Sequence, residues 1–262
     1  MQTIGGIVTA LNCLLSAVIG VRLLRLGVRT GGPEAWLGVY FLFSTFVASI
    51  LSSAVYMSWA DPALAMPEDV RAVLHGVSLT CMSFGYYGVL VFTQRVFRPT
   101  DASARRWLRV APVLLVLTLA GVGWIEGFQV QIVNAWPYWI NVAVRESALV
   151  WLTVESFLYW SQLRRRAKVG LADPLLVNRF LLWGVWAATM SAMQLSDPVS
   201  RVWYWAIAGT TDTWIMDVGR PIIVSMILVA SLLGAITAST LFLTFFPTRG
   251  YRRWIASLGA TA

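Results

Sequence analysis

The sequence predicts an all-α polytopic membrane protein, a bundle of seven transmembrane helices that forms a single domain over residues 1–262. The first observation is composition: 58% of the residues are hydrophobic and only 12% are charged, about half the charged share of a soluble domain. The second is a set of seven apolar runs in a chain whose mean hydropathy is +0.70. The third is that basic residues gather in alternate connections between those runs.

Each run has enough apolar residues to form a helix that crosses the roughly 30 Å of a bilayer's hydrocarbon core. The predicted spans cover residues 4–24, 36–57, 73–92, 110–125, 138–159, 175–195 and 222–245. The first span precedes its basic residues, which is atypical of a cleavable signal peptide. The fourth is the shortest apolar run, and Trp107 and Leu108 extend it. Tryptophan and tyrosine near the ends of the runs are typical of the membrane interface.

Charge in the connections predicts the orientation. Most basic residues follow the first, third, fifth and seventh spans: Arg22, Arg25, Arg29, Arg95, Arg98, Arg105, Arg106, Arg109, Arg164, Arg165, Arg166, Lys168, Arg249, Arg252 and Arg253. The opposite side carries most of the acidic residues. The positive-inside rule therefore predicts an outside N-terminus and a cytoplasmic C-terminus, in a multi-pass protein of the plasma (inner) membrane.

Charges inside the fifth span predict a polar interior. Arg145 and Glu146 lie roughly 10 Å past its outer edge, and Glu155 lies roughly 15 Å deeper. A charge at such depth costs at least roughly 2.5–3.5 kcal/mol if lipid surrounds it. We therefore expect these side chains to face the bundle interior or a wet cavity.

Depth and orientation place two polar zones. The outer zone is predicted to be a ligand site formed by His75, Tyr86, Asn141, Arg145, Glu146, Gln194, Asp217 and Arg220. The inner zone is predicted to be a polar pair, Glu155 with Arg179. Structural salt bridges are the alternative for both zones. The connection 196–221 is predicted to lie along the interface or to cover the outer zone.

Several classes of protein lack support in the sequence. In outline, seven spans with an outside N-terminus resemble the microbial rhodopsins and seven-helix receptor modules, but the sole lysine, Lys168, lies in a loop. Retinal attachment is therefore not expected, and a single histidine, His75, gives no haem ligand pair and no His-rich metal site. No motif for catalysis is visible, so an enzyme is not the favoured reading. The basic residues flank apolar runs, so nucleic acid is not an expected partner.

Three functions remain open. The favoured hypothesis is a receptor-like binding or sensor protein, with Arg145, Arg220 and His75 holding a small anionic or amphiphilic molecule and the basic segments meeting a cytoplasmic or membrane protein partner. The second is a transporter or proton-coupled carrier. The third is a non-catalytic accessory subunit of a larger membrane complex. Intramembrane ionisable residues are functional candidates by default, which favours the first two.

Overall fold

The computed structural model describes residues 2–60, 62–128, 136–208 and 221–260. Every regular element among them is helical. The α-helices are α1 (Gln2–Thr30), α2 (Glu34–Val39), α3 (Ala48–Ala60), α4 (Glu68–Phe97), α5 (Ala102–Glu126), α6 (Trp136–Ala167), α7 (Pro174–Ala208), α8 (Pro221–Phe245) and α9 (Arg249–Ala260). A π-helical segment (Tyr40–Val47) joins α2 to α3, and a 3-10 turn (Pro62–Leu64) precedes α4.

Six helices in the described ranges are long and apolar enough to cross a membrane: they lie in α1, in the rod made of α2, the π segment and α3, and in α4, α5, α7 and α8. They coincide with six of the seven predicted spans. The fifth predicted span lies in α6, a helix of 32 residues. Arg145, Glu146 and Glu155 make α6 less apolar than the other six, so hydropathy alone does not single it out.

The surface that surrounds these helices is largely apolar. Val116 and Leu117 on α5 are 65% and 61% exposed, and Leu232 on α8 is 64% exposed. Exposed apolar side chains at the middle of long helices suit contact with lipid tails. The fold is therefore that of a membrane-embedded helical protein.

The second predicted span is not a uniform helix. Its residues Tyr40–Val47 adopt the wider π geometry. This geometry is rare overall, and where it occurs it often lies at a functional site. The π geometry directs the side chains of Tyr40, Phe41 and Ser44 into the core, where Tyr40 and Phe41 are fully buried. Apolar periodicity does not distinguish π from α geometry, so the sequence did not predict this segment.

Helical structure extends beyond two of the predicted span boundaries. The predicted sixth span ends at residue 195, but α7 continues to Ala208 and includes Pro198. Much of the predicted interfacial connection is therefore an extension of α7, and residues 209–220 lie outside the described part. The basic tail forms a further helix, α9. A search for apolar runs long enough to span a membrane does not detect α9, because it is short and charged.

The helices pack around α4. In its most apolar 18-residue window α4 is 67% buried, against 22–33% for the other five candidate spans. It contacts the α2–π–α3 rod on one side and α5 and α6 on the other. α6 packs against α7, α7 against α8, and α8 returns to α1. The core around α4 is aromatic, and its largest fully buried side chains are Trp186, Tyr40 and Tyr86.

Close helix approach depends on two glycines of α4. A Cβ added at Gly85 would lie 2.6 Å from Ser44 Cβ and 2.9 Å from the Ser44 backbone nitrogen. A Cβ at Gly88 would lie 2.5 Å from the Trp36 carbonyl oxygen. Small residues at a membrane helix interface let two backbones approach closely. Gly85 therefore lets α4 approach the π segment closely, and Gly88 lets it approach α2.

The connection between α4 and α5 is ordered by a helix cap. The Asp101 carboxylate accepts hydrogen bonds from the Ser103 hydroxyl and from the backbone nitrogens of Ser103 and Ala104. These bonds, the Ser103 hydroxyl first, hold the pKa of Asp101 below its ordinary value. The backbone nitrogen of Asp101 also donates to the Arg98 carbonyl at 3.3 Å, which joins this cap to the end of α4.

Candidate ligand-binding site

Helix α6 carries both outer charges into the core. Arg145 and Glu146 are 5% and 8% exposed, so neither lies on the lipid-facing surface. Adjacent residues of a helix diverge by about 100°. Arg145 consequently reaches α4, and Glu146 reaches α7.

The Arg145 guanidinium has weak partners. Its Nη1 donates to the sulfur of Met82, and its central carbon lies 5.9 Å from the centroid of the Tyr86 ring. The Nε atom is buried and has no hydrogen-bond partner. No carboxylate in the described part of the chain lies within ion-pair distance of Arg145. The cation is therefore held by a thioether and an aromatic face, and one donor remains unused.

Glu146 is also incompletely paired. Its Oε1 accepts a hydrogen bond from the Ser191 hydroxyl on α7, while its Oε2 is buried without a partner. An ionised carboxylate can accept at both oxygens. The site therefore offers an unused acceptor as well as an unused donor.

A tyrosine and a glutamine connect α4 to α7 beside these charges. The Tyr86 hydroxyl donates to Gln194 Oε1 at 2.7 Å, and Gln194 Nε2 lies 4.0 Å from Met82 Sδ. We call this cluster the polar centre. It comprises Tyr40, Met82, Tyr86, Arg145, Glu146, Trp186, Ser191 and Gln194.

Two aromatic side chains close the polar centre toward the π segment. The Tyr40 ring lies 5.3 Å from that of Tyr86 and 5.7 Å from that of Trp186, in both cases edge to face. The Tyr40 hydroxyl and the Trp186 Nε1 are buried without partners. A buried tyrosine or tryptophan normally finds a hydrogen-bond partner. The polar centre thus contains two more unused polar atoms.

Asn141 occupies a neighbouring polar contact one turn from Arg145. Its Nδ2 donates to Thr118 Oγ1 at 3.0 Å and lies 3.5 Å from Ser83 Oγ. Its Oδ1 is buried without a partner. The residue joins α4, α5 and α6, and no direct bond links it to the polar centre.

His75 binds the backbone that follows α5. Its Nδ1 donates to the backbone carbonyl of Phe128 at 2.8 Å. Phe128 has a φ of 59°, and its ring lies where a Cβ on Gly76 or Gly123 would sit. His75 therefore fastens the end of α5 to α4. Asp217 and Arg220, the remaining predicted outer residues, lie outside the described ranges.

Glu155 does not pair with Arg179, the partner that the sequence predicted. Glu155 binds Arg98, with 2.7 Å between Arg98 Nε and Glu155 Oε1, and Trp151 Nε1 also donates to Oε1 at 3.2 Å. The Glu155 carboxylate raises the pKa of Arg98, first through this hydrogen bond and then through charge attraction. Arg179 is exposed and makes no ion pair with a described residue. In the sequence Arg98 is one of the basic residues that follow the third predicted span, and only packing brings it to Glu155.

Apolar side chains separate the ion pair from the polar centre. Ala148, Leu149 and Leu152 occupy the two turns of α6 between Glu146 and Glu155, and all three are 0% exposed. The two polar zones of the sequence prediction are thus distinct sites. In the described part of the chain, no group of three or more His, Cys, Asp or Glu side chains could hold a metal ion.

We expect Arg98→Met to destabilise the protein by about 1 kcal/mol, because the pair is half exposed and solvent screens it. Arg179→Met should change stability by less than about 0.5 kcal/mol. Double-mutant cycles that combine each arginine variant with Glu155→Gln give the two coupling free energies. The stability of each variant is measured by unfolding in detergent. Coupling of Glu155 to Arg179 instead of Arg98 would contradict the observed pairing.

Compared with models of known protein families, with curated proteins and with solved structures, the chain matches none of them. Its function must therefore be inferred from its own residues.

Proposed function

We propose that the chain is a seven-helix membrane protein in which α6 is the fifth span and joins the six more apolar ones. At 1.5 Å per residue, its 32 residues extend about 48 Å, more than a bilayer's hydrocarbon core. Arg145, Glu146 and Glu155 within it are buried inside the protein, which removes the objection to a charged span. The basic segments after the first, third, fifth and seventh spans support an outside N-terminus and a cytoplasmic C-terminus in the plasma membrane.

The proposed function is binding of a small molecule at the polar centre, as in a receptor or sensor. The observation that carries this proposal is that four buried polar atoms there have no partner: Tyr40 Oη, Arg145 Nε, Glu146 Oε2 and Trp186 Nε1. A buried donor or acceptor without a partner costs about 1–3 kcal/mol. A ligand that supplies the missing bonds would recover that free energy.

The composition of the polar centre indicates the ligand's charge. Arg145 and Glu146 together have no net charge, so a strongly charged ligand would leave an uncompensated charge in the core. The unused Nε needs an acceptor, and the unused Oε2 needs a donor. We therefore propose a small net-neutral molecule, zwitterionic or polar, in place of the anionic ligand that the sequence favours.

The apolar layer formed by Ala148, Leu149 and Leu152 favours binding over transport. A carrier needs a polar path from one side of the membrane to the other, and this layer separates the polar centre from the Glu155–Arg98 pair. A sensor needs no such path. The basic cytoplasmic segments remain the proposed surface for a protein partner.

A melting-temperature screen of the purified protein tests the proposal. The panel contains zwitterionic, neutral polar, anionic and cationic small molecules, each at millimolar concentration. A compound at 100 times its Kd stabilises the folded state by about 2.7 kcal/mol, and we expect zwitterionic or neutral polar compounds to be the stabilising class. If no class raises the melting temperature, or if a stabilising compound crosses proteoliposomes with saturable flux, binding is not the function.

Tyr40→Phe gives the sharpest variant for this test. It removes a buried hydroxyl that has no partner, so stability without ligand should be unchanged or slightly higher. Affinity for the stabilising compound should fall about threefold to tenfold, because the hydroxyl is available to the ligand. Tyr87→Phe, on α4 and outside the polar centre, is the matched control. Equal affinities in both variants would place the ligand elsewhere.

A further inference from the structure

A cavity with polar lining residues lies at the end of the bundle that carries the basic segments. It has a volume of about 120 Å³ and is enclosed by the start of α7, the end of α8 and the start of α9. A single buried water needs only roughly 10–15 Å³. The cavity therefore has room for a group of several heavy atoms.

One wall of this cavity is cationic. Arg179 of α7 and Arg252 of α9 both line it, and neither forms an ion pair with a described residue. Asn178 Nδ2 donates to the Tyr251 hydroxyl, and both residues also line the cavity. Because that hydroxyl accepts from Asn178, its own proton is free for another acceptor. The wall thus presents two guanidinium groups and a hydroxyl donor.

No lining residue is acidic. The nearby Asp173 is exposed and already accepts a hydrogen bond from the backbone nitrogen of Leu175 at 2.9 Å. The positive charge of Arg179 and Arg252 is consequently not neutralised by the cavity itself. An anion is the chemical group that would complete this wall.

Apolar side chains also line the cavity, among them Leu182 of α7 and Leu243 of α8. On α9, Ile255 is 5% exposed whereas Trp254 is 57% exposed, as expected of a short helix lying at a membrane interface. A cavity with cationic and apolar walls at this depth matches the boundary between a lipid headgroup and its acyl chains.

We infer that this cavity binds the phosphate of an anionic phospholipid, with Arg179 and Arg252 holding the headgroup. Arginine pairs well with phosphate because its planar fork donates two parallel hydrogen bonds. Basic pockets between membrane helices on the cytoplasmic side are suited to such headgroups. The site is separate from the polar centre and does not depend on the ligand proposed there.

Native mass spectrometry of the intact protein in mild detergent tests this inference. Phosphatidylglycerol and phosphatidylcholine with identical acyl chains are titrated, and we expect phosphatidylglycerol to bind at least about tenfold more tightly. Each basic residue near an anionic surface contributes roughly fivefold in affinity. The double variant Arg179→Gln/Arg252→Gln should therefore bind phosphatidylglycerol roughly 30-fold more weakly.

The matched control is Arg249→Gln/Arg253→Gln, which removes two charges from α9 at positions that do not line the cavity. This control variant should keep its affinity for phosphatidylglycerol within about threefold of the parent. If it loses as much affinity as the Arg179→Gln/Arg252→Gln variant, general surface charge explains the binding and the inference is overturned. Displacement of the lipid by inorganic phosphate at equal concentration would also overturn it. If the Arg179→Gln/Arg252→Gln variant does not fold, Arg179→Lys/Arg252→Lys is used in its place, because it keeps both charges. A lysine pair that prefers phosphatidylglycerol supports the site, and one without that preference refutes it.

Discussion

Arg145→Met is expected to destabilise the protein by about 3 kcal/mol. Arg145 and Glu146 form no direct ion pair, but they are adjacent in the chain and both are buried. The substitution therefore leaves the Glu146 carboxylate as an uncompensated buried charge, which typically costs about that much. It also removes the donor to Met82 and the cation over the Tyr86 ring. Unfolding in mixed micelles, followed by the loss of helical circular dichroism, measures the change.

A second substitution separates charge from packing. In the Arg145→Met background, Glu146→Gln should recover at least about 1 kcal/mol, because the uncompensated charge is then absent. Arg165→Met, at an exposed position of the same helix, is the control and should change stability by less than about 0.5 kcal/mol. If Glu146→Gln worsens the variant, the two charges do not compensate each other in the folded protein.

Gly85→Ala is expected to cost about 2 kcal/mol, in the direction opposite to the usual effect of this substitution in a helix. Alanine normally stabilises a helix relative to glycine by roughly 0.5–1 kcal/mol. Here the new Cβ would meet Ser44 at 2.6 Å from its Cβ and 2.9 Å from its backbone nitrogen. Overpacking of a tight contact costs typically 1–3 kcal/mol. The same micelle unfolding assay measures the sign and the size.

Gly250→Ala is the matched control, because a Cβ at Gly250 has nothing within 4 Å. It should leave stability unchanged or raise it by up to about 1 kcal/mol. Gly85→Ala should also weaken any ligand bound at the polar centre, since Ser44 and Tyr40 share the π segment. A stabilised Gly85→Ala variant would show that α4 and the π segment are not held in this contact.

The predicted outer zone includes Tyr86, Arg145, Glu146 and Gln194. In the structure Tyr86 donates to Gln194 and lies beside Arg145, while Glu146 accepts a hydrogen bond from Ser191 on α7. Asn141 forms a separate contact with Thr118. His75 binds the Phe128 carbonyl because that backbone turns back toward α4, which no local pattern indicates.

Other members of the site were missed for identifiable reasons. Tyr40 and Trp186 resemble ordinary span residues, and the clue was that a tyrosine or tryptophan deep in a span needs a hydrogen-bond partner. Met82 and Ser191 lie on α4 and α7 opposite α6, and their roles depend on which helices face each other. The π segment brings Tyr40 to the centre through a turn geometry that periodicity does not encode.

By itself, the sequence determined that the chain is built from long apolar helices and that the charges of residues 145, 146 and 155 must avoid lipid, because the energy of placing a side chain in hydrocarbon depends on residue type and depth alone. Only the tertiary structure decided that Glu155 pairs with Arg98 instead of Arg179. It also decided that Arg145 meets Met82 and Tyr86. Residues distant in the chain become partners through helix packing, and packing depends on rotation and close contact between helices, which a linear count of residues does not fix.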